Sequence, residues 1–383
     1  MSEIKVAVLN RKTGNEVLFG GEHLPVVFPY GLGPTYSTIE EELGKISTAK
    51  ILRADMVKDN TIGRKEWAEL IKSVRRETDL CVGASATITA ANIAFSREGK
   101  ARANPREEDF YNAFEELSNH CDAIEVFPTI TSESLEMVRA SDRVMKSSIS
   151  RAGDIITRYM NVAGKENPFY QDFSWFLRRA KENDITLILG NGFRAGCIHD
   201  SLDTMQMYEV ERMKEFSELA IKWGVRIIAG VYGHVMSDEG KFEEIRSKLR
   251  IPTGGLGPLL TDIAAGYDHI NAAIGIITLR KYIDWVSLIT PAEHMGLPTP
   301  QDGQDGMAAV NLARHILDLR RGEGQAEDLE MSKAREDLDW EAMRERSIDP
   351  CNARWENTKH EKGSPCTLCG AYCPLIPKGE KNE

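Results

Sequence analysis

The chain has 383 residues, with 59 acidic against 48 basic side chains and a formal net charge of −11. That length buries a large core and exceeds the usual single-domain size, unless the fold is an α/β barrel of ~250 residues carrying an appendage. The acidic balance argues against nucleic-acid and anionic-membrane partners, and the lack of an apolar leader or of any run of eighteen apolar residues predicts a cytoplasmic protein with no membrane segment.

Short apolar or β-branched runs recur along the chain, closed by turn-forming residues and followed by helical patterns. They predict strands at 24–31, 49–53, 80–85, 123–127, 146–150, 186–190, 226–232 and 284–290. Eight such units are the count of a (β/α)8, TIM-like barrel, an α/β fold. The spacing of Met207, Val210, Met213, Phe216, Leu219, Ala220 and Trp223 predicts a helix from Asp203 to Trp223 with one apolar face. A second helix is expected from Met307 to Arg320, with Val310, Leu312, Ala313, Ile316 and Leu319 apolar. It closes on the basic pair Arg320-Arg321 and the glycine stop Gly322.

From Gly322 to about Asp337 the composition turns polar, and beyond Pro350 it is loop-like. The expected organisation is a catalytic barrel over 1–322 and, over 323–383, a helical extension ending in a cysteine-bearing tail. The charged run Lys378–Glu383 reads as a frayed terminus.

In a barrel the loops after the strands share one face, so polar residues just past a strand are the chemical candidates. Ser150-Arg151-Ala152-Gly153, placed after the fifth expected strand, combines a hydroxyl, a guanidinium and free backbone amides, the components of an anion-binding turn. Asn191-Gly192-Phe193-Arg194 follows the sixth and adds a second arginine. Two arginines aimed into one mouth point to a phosphorylated small-molecule substrate. His234 ends the seventh expected strand and His294 follows the eighth, so two imidazoles could meet there and bind a divalent metal with open positions. Between them Asp262 and Asp268 lie in a connection more polar than a crossover needs. His23, His120, His199 and His315 have no comparable partners.

Of seven cysteines, three sit at Cys366, Cys369 and Cys373, and the other four are scattered singly. Three thiolates leave one iron of a [4Fe–4S] cluster open to an exchangeable ligand. A zinc ribbon completed by Cys351 or His360 fits the spacing as well. The odd number and tight grouping suit a reducing compartment rather than a disulfide framework.

Several stretches occur in the order found in one family. They are Ser150–Gly153, Asn191–Gly196, Gly233-His-Val235, Leu256–Ile270, Thr290–Pro298, Met331-Ser-Lys-Ala-Arg335, Asp349-Pro350 and the cysteine group. The chain resembles the ThiC family of radical S-adenosylmethionine enzymes, strongly over about 145–375 and thinly before that. The resemblance implies a [4Fe–4S] cluster on Cys366, Cys369 and Cys373, and S-adenosylmethionine at its open iron, with Asp262 and Asp268 among the cofactor-binding groups. It also implies a zinc or iron ion at His234 and His294, and Ser150, Arg151, Ala152, Asn191, Gly192 and Arg194 at the substrate. A flavodoxin- or ferredoxin-like electron donor and a homodimer, or a pairing with a paralogue, belong to the same expectation.

The departures are local. Pro29-Tyr30-Gly31 stands where the family has Asn-Ala-Asn, Phe127 replaces a histidine, Asn191 an aspartate, Gly230 a glutamate and Gly254 a tyrosine. The last cysteine spacing is three residues instead of four. The groups that would grip an aminoimidazole are mostly changed, which reads as a divergent paralogue. The favoured expectation is a lyase that rearranges a phosphorylated, imidazole-ribotide-like substrate into a heteroaromatic vitamin precursor of the 5-hydroxybenzimidazole type. Phosphomethylpyrimidine synthesis is the alternative, and a non-catalytic scaffold with a zinc-ribbon tail is the contrasting one.

Overall fold

The computed structural model describes residues 3–34, 37–236, 238–357 and 360–376; the charged run Lys378–Glu383 lies outside them. The chain divides into two compact units, Met1–Val310 and Asn311–Glu383. In the first, β1 (Val6–Leu9) and β2 (Glu16–Phe19) form an antiparallel hairpin. Eight parallel strands then close a barrel in chain order: β3 (Val26–Tyr30), β4 (Met56–Asp59), β5 (Cys81–Ser85), β6 (Ala123–Val126), β7 (Thr186–Leu189), β8 (Ile227–His234), β9 (Thr253–Leu259) and β10 (Trp285–Ser287). Closure is made by β10 on β3, where Val286 faces Val26 and Ser287 faces Val27.

The α/β barrel expected from the sequence is therefore present, but two of the expected strands are not where they were placed. Residues 49–53 lie at the end of the helix Ile39–Ile51 and just past it, and the strand comes afterwards as Met56–Asp59. Residues 146–150 are loop leading into the helix Arg151–Ala163. The strand missed is β9, whose Thr-Gly-Gly-Leu-Gly-Pro-Leu carries three glycines and a proline and reads locally as turn. Barrel closure overrides that signal: a glycine here is a close approach, because a Cβ on Gly254 would lie 2.1 Å from the Trp285 carbonyl oxygen.

Helices cover a parallel barrel outside and side chains fill it inside, so its strands are apolar on both faces. All four residues of β7 and all eight of β8 are buried. The hairpin, which the sequence reading did not find, plugs the end where the strands begin. Val6, Val8 and Phe19 pack into one cluster with Val27, Met56, Cys81, Ala123, Ile188, Ile228 and Trp285, and Phe19 meets Trp285 edge-on at 6.2 Å. The opposite, C-terminal end of the barrel is left open.

Charged groups at the plugged end are paired. Asp122 has no solvent exposure and accepts hydrogen bonds from the Arg11 and Val82 amides, both at 2.9 Å, and from Arg75 Nη1 at 2.8 Å. Asp122→Ala strands a guanidinium and two amides, and we expect it to lower unfolding free energy by about 3–5 kcal/mol in denaturant titration.

The helix Thr204–Trp223 begins where the sequence places it. The Asp203 side chain caps it by accepting from the Gln206 amide, and Gly224 ends it at φ +71°. Met205, Val210, Met213, Phe216 and Ala220 are buried, but so are Gln206 and Glu209, which amphipathic spacing alone would put outside.

The division between the units falls within the helix Pro300–Arg320. The second unit continues with helices Gln325–Glu336, Trp340–Arg346 and Ala353–Asn357 and a 3-10 turn Gly370–Tyr372. Its chain returns on itself: Trp340 Nε1 donates to the Ser364 carbonyl at 2.9 Å, and the His360 ring lies 4.6 Å from that of Trp340. Among the described residues no helix is long and apolar enough to cross a membrane.

Candidate functional site at the barrel mouth

A cavity of about 500 Å³ opens where the barrel strands end. Ser150, Arg151, Ala152, Asn191, Arg194 and His294 all line it, together with Lys58, Glu125 and Glu293, which the sequence reading did not single out. Ser150 is the N-cap of the helix Arg151–Ala163 and accepts from the Gly153 amide at 2.9 Å. Capping spends the hydroxyl but fixes the helix start, leaving the amides of its first turn without helical partners.

Arg151 makes only a long contact, 3.4 Å from Nη1 to the Asn60 carbonyl, and Arg194 turns back onto Asn191, 3.2 Å from Nη1 to Oδ1. Among the described residues neither guanidinium forms an ion pair with a carboxylate. Burial lowers the Arg194 pKa, against the pull of Glu125 and Glu293.

The turn that carries Asn191 and Arg194 is clamped by side chains. Glu209 accepts from the Gly192 amide at 2.7 Å, the Phe193 amide at 2.9 Å and the Thr129 hydroxyl at 2.7 Å. Ser148 Oγ donates to the Gly192 carbonyl at 2.7 Å, and Arg143 Nη2 donates to the Phe193 carbonyl at 2.6 Å. Gly192 thus spends both peptide groups inward and is not part of the cavity wall. A Cβ on it would meet Ile130 at 2.6 Å. Ser148 stands two residues before Ser150, so one set of bonds ties both arginine turns together. The sequence does not single out Glu209, which with Gln206 is a buried polar residue on a helix that apolar spacing alone describes.

His234 and His294 do come together, with ring centroids 5.2 Å apart. His234 Nδ1 lies 2.6 Å from Asp262 Oδ1 and His294 Nδ1 lies 3.2 Å from Asp268 Oδ2, so both Nε2 atoms are left for another partner. A carboxylate behind each imidazole is the usual support of a metal-ligating histidine. Burial lowers the His234 pKa despite Asp262, a shift toward the neutral ring that ligation uses. His294 also adopts φ +61°, a left-handed conformation uncommon outside glycine and a form of strain that collects at functional sites. The donor set fits an ion held by two imidazoles with open positions. Among the described residues no three His, Cys, Asp or Glu groups converge to hold one ion.

The second unit carries the cysteines. The amides of Cys369 and Leu368 approach the Cys366 sulfur and lower its pKa, while partial burial and the neighbouring Cys366 raise that of Cys369. Amides directed at a sulfur stabilise the thiolate, the form that ligates iron. By contrast, burial pushes Cys81 up to about 12 and Cys121 further still, which makes both inert core residues. Cys351 and His360 line a separate surface cavity with Trp340 and Trp355, and none of the three tail cysteines lines it.

The altered positions have a common physical sense. A Cβ on Gly190 would lie 2.4 Å from the Phe127 ring, and one on Gly254 would lie 2.6 Å from the Trp285 ring, so each large aromatic sits against a bare glycine. Pro29, Phe127 and Trp285 are apolar parts of the cavity lining.

Asp59, the last residue of β4, is buried, accepts from the Thr61 hydroxyl at 2.6 Å, and has a pKa pushed up to about 7 by desolvation. Its folded pKa exceeds the unfolded one, so its stabilising contribution is complete below about pH 4 and is lost as pH rises through about 7. Between those limits we expect wild-type stability, relative to Asp59→Asn, to fall with a slope approaching ~1.4 kcal/mol per pH unit in denaturant titrations.

Comparison with known proteins agrees with this geometry. Residues 6–378 match the Radical SAM ThiC family. The chain is 36% identical over 359 residues to the phosphomethylpyrimidine synthase of Caldanaerobacter subterraneus subsp. tengcongensis, covering 90% of this chain and 81% of that one. It is 35% identical over 357 residues to the Archaeoglobus fulgidus enzyme of the same name (90% and 82% covered). It is 32% identical over 381 residues to phosphomethylpyrimidine synthase 2 of Syntrophotalea carbinolica (95% and 87% covered). A match over nearly the whole chain, on a closed parallel barrel with a paired-histidine mouth, places this protein in the radical S-adenosylmethionine ThiC family of enzymes.

Proposed function

We propose that the chain rearranges a phosphorylated, imidazole-ribotide-like substrate into a heteroaromatic vitamin precursor of benzimidazole type. The observation that carries this reading is a pair of arginines facing one cavity that, among the described residues, form no ion pair with a carboxylate. Phe127, Pro29 and Trp285 add apolar surface to the same cavity. Relatives named phosphomethylpyrimidine synthase favour a second reading, in which the product is that of thiamine biosynthesis.

In the proposed site Arg151 and Arg194 hold the phosphate by charge-assisted, fork-shaped hydrogen bonds, and the capped start of the helix Arg151–Ala163 adds amides to the same anion. Asn191, fixed by the Glu209 clamp, orients the Arg194 guanidinium. Phe127 and Trp285 exclude water from the reacting centre. Cys366, Cys369 and Cys373 would hold a [4Fe–4S] cluster, and His234 and His294 a zinc or iron ion through Nε2, with Asp262 and Asp268 as their supports. When bound, the cluster with S-adenosylmethionine supplies one-electron reductive cleavage of a sulfonium and so an organic radical. A flavodoxin- or ferredoxin-type donor and a homodimer, or a paired paralogue, complete the proposal.

The test is an anaerobic assay of the reconstituted protein with S-adenosylmethionine, reductant and phosphorylated imidazole ribotides, read by mass spectrometry. Ribotide-dependent release of 5′-deoxyadenosine with an aromatic product of benzimidazole type is the expected result. A pyrimidine phosphate would establish the second reading, and release indifferent to every ribotide would overturn the substrate class.

A further inference from the structure

Asp59 is buried and does not line the cavity, whereas its chain neighbours Lys58 and Asn60 do. Successive strand residues face opposite ways. Lys58 meets Glu125, with Nζ 2.6 Å from Oε1, and the Asp59 carboxylate serves the turn that follows its own strand. Thr61 Oγ1 accepts from the Leu32 amide at 3.0 Å, so its proton is the one donated to Asp59 Oδ1 at 2.6 Å. The Thr61 amide lies 3.3 Å from Oδ2, which completes an Asx-type turn through Asn60.

This turn is held from other sides too. Asn92, buried on the helix Ala86–Glu98, donates from Nδ2 to the Thr61 carbonyl at 2.6 Å and accepts from the Gly63 amide at 2.8 Å. Gly31, at φ +143°, comes so close that a Cβ on it would collide with the Thr61 nitrogen. The loops after β3 and β4 therefore meet backbone to backbone, and Gly31, Leu32, Gly33 and Asn60 from them line the cavity. The Asn60 amide donates to the Tyr30 carbonyl at 2.8 Å, and its own carbonyl is the group that Arg151 Nη1 approaches at 3.4 Å. The guanidinium is also within electrostatic reach of the Asp59 carboxylate, second to Glu293 among the carboxylates.

We infer that Asp59 is a positioning residue for Arg151, acting through the Asn60–Thr61 turn without touching the substrate. The inference rests on the phosphate role proposed for Arg151. The bonds from Thr61 fix the direction of the Asn60 carbonyl, and that carbonyl restrains a long, rotamer-rich side chain at the mouth before an anion arrives. Restraint of this kind lowers the ordering cost of binding.

The test is anaerobic equilibrium binding of 5-aminoimidazole ribotide to the reconstituted full-length protein, in a double-mutant cycle with Arg151→Ala. Thr61→Val removes the hydroxyl at nearly constant volume, and Asp59→Leu removes its acceptor. Each is expected to weaken binding roughly 10-fold in the otherwise wild-type chain, the worth of one hydrogen bond. In the Arg151→Ala background the same changes should cost less than about twofold, because the residue they act through is gone. Asp59→Asn keeps a carbonyl oxygen for the Thr61 hydroxyl and should bind within about threefold of wild type. A cooperative thermal transition confirms that each variant is folded, and Thr61→Val carries the cycle alone if Asp59→Leu does not fold.

Equal losses with and without Arg151 would mean a general loosening of the mouth and overturn the inference, as would unchanged binding in Thr61→Val. In either event a loss in Arg151→Ala itself keeps the phosphate reading standing. If Arg151→Ala binds the ribotide as wild type does, or wild type does not bind it, that reading and this inference both fail.

Discussion

Replacing Cys366, Cys369 and Cys373 together by alanine is expected to lower 5′-deoxyadenosine release at least ~10³-fold while leaving the barrel folded, because the cofactor supplies the difficult chemistry and the protein cannot substitute for it. The three residues lie in the second unit, and none belongs to the packed cluster at the barrel's plugged end. The thermal transition of the barrel should therefore survive. Cys351→Ala is the informative companion. Cys351 is exposed, so in a three-cysteine site its removal leaves cleavage intact, whereas a closed zinc tetrahedron that uses Cys351 would lose its metal. Iron and sulfide content of the variants, measured beside 5′-deoxyadenosine, separates the two.

Arg151→Ala and Arg194→Ala should each raise the KM for a phosphorylated substrate roughly 10- to 100-fold, since one charge-assisted hydrogen bond contributes about 1.5–3 kcal/mol. Cleavage of S-adenosylmethionine in the absence of substrate should change little. The two turns share the bond from Ser148 Oγ to the Gly192 carbonyl, so the double variant should depart from simple additivity. Steady-state kinetics of the two single variants and the double variant check both statements. An unchanged KM in both single variants would remove the phosphate assignment. Lysine at either position should recover only part of the loss, because an ammonium keeps the charge without the planar fork.

How far the sequence reached depended on whether the relevant physics was local. The helix Thr204–Trp223 was legible because its apolar spacing, its Asp203 cap and its Gly224 stop all lie within the segment. β7 and β8 were legible because a strand buried on both faces is an unbroken apolar run. β9 was not, since what makes Gly254 a strand residue is the Trp285 carbonyl on a neighbouring strand. The hairpin at Val6–Phe19 was missed because its strands are only four residues each and gain their meaning from the barrel floor they cover.

At the site, the arginine turns and both histidines were found through their place after strands, a rule that tolerates errors in counting those strands. Ser150 was assigned to the wrong strand and still lines the cavity, because the helix it caps follows β6 in the same ring of connections. Lys58, Glu125 and Glu209 were out of reach. Nothing within a few residues of Lys58 announces a carboxylate two strands away, and Glu209 differs from an ordinary helical glutamate only by the turn that folds over it.

Anaerobic purification and reconstitution of the full-length chain, followed by iron and sulfide analysis and dithionite reduction with S-adenosylmethionine present, puts the whole reading at risk in one preparation. About four iron and four sulfide per chain, a broad visible absorption that bleaches on reduction, and release of 5′-deoxyadenosine are expected. A colourless protein holding zinc and no iron, inert toward S-adenosylmethionine, would contradict it.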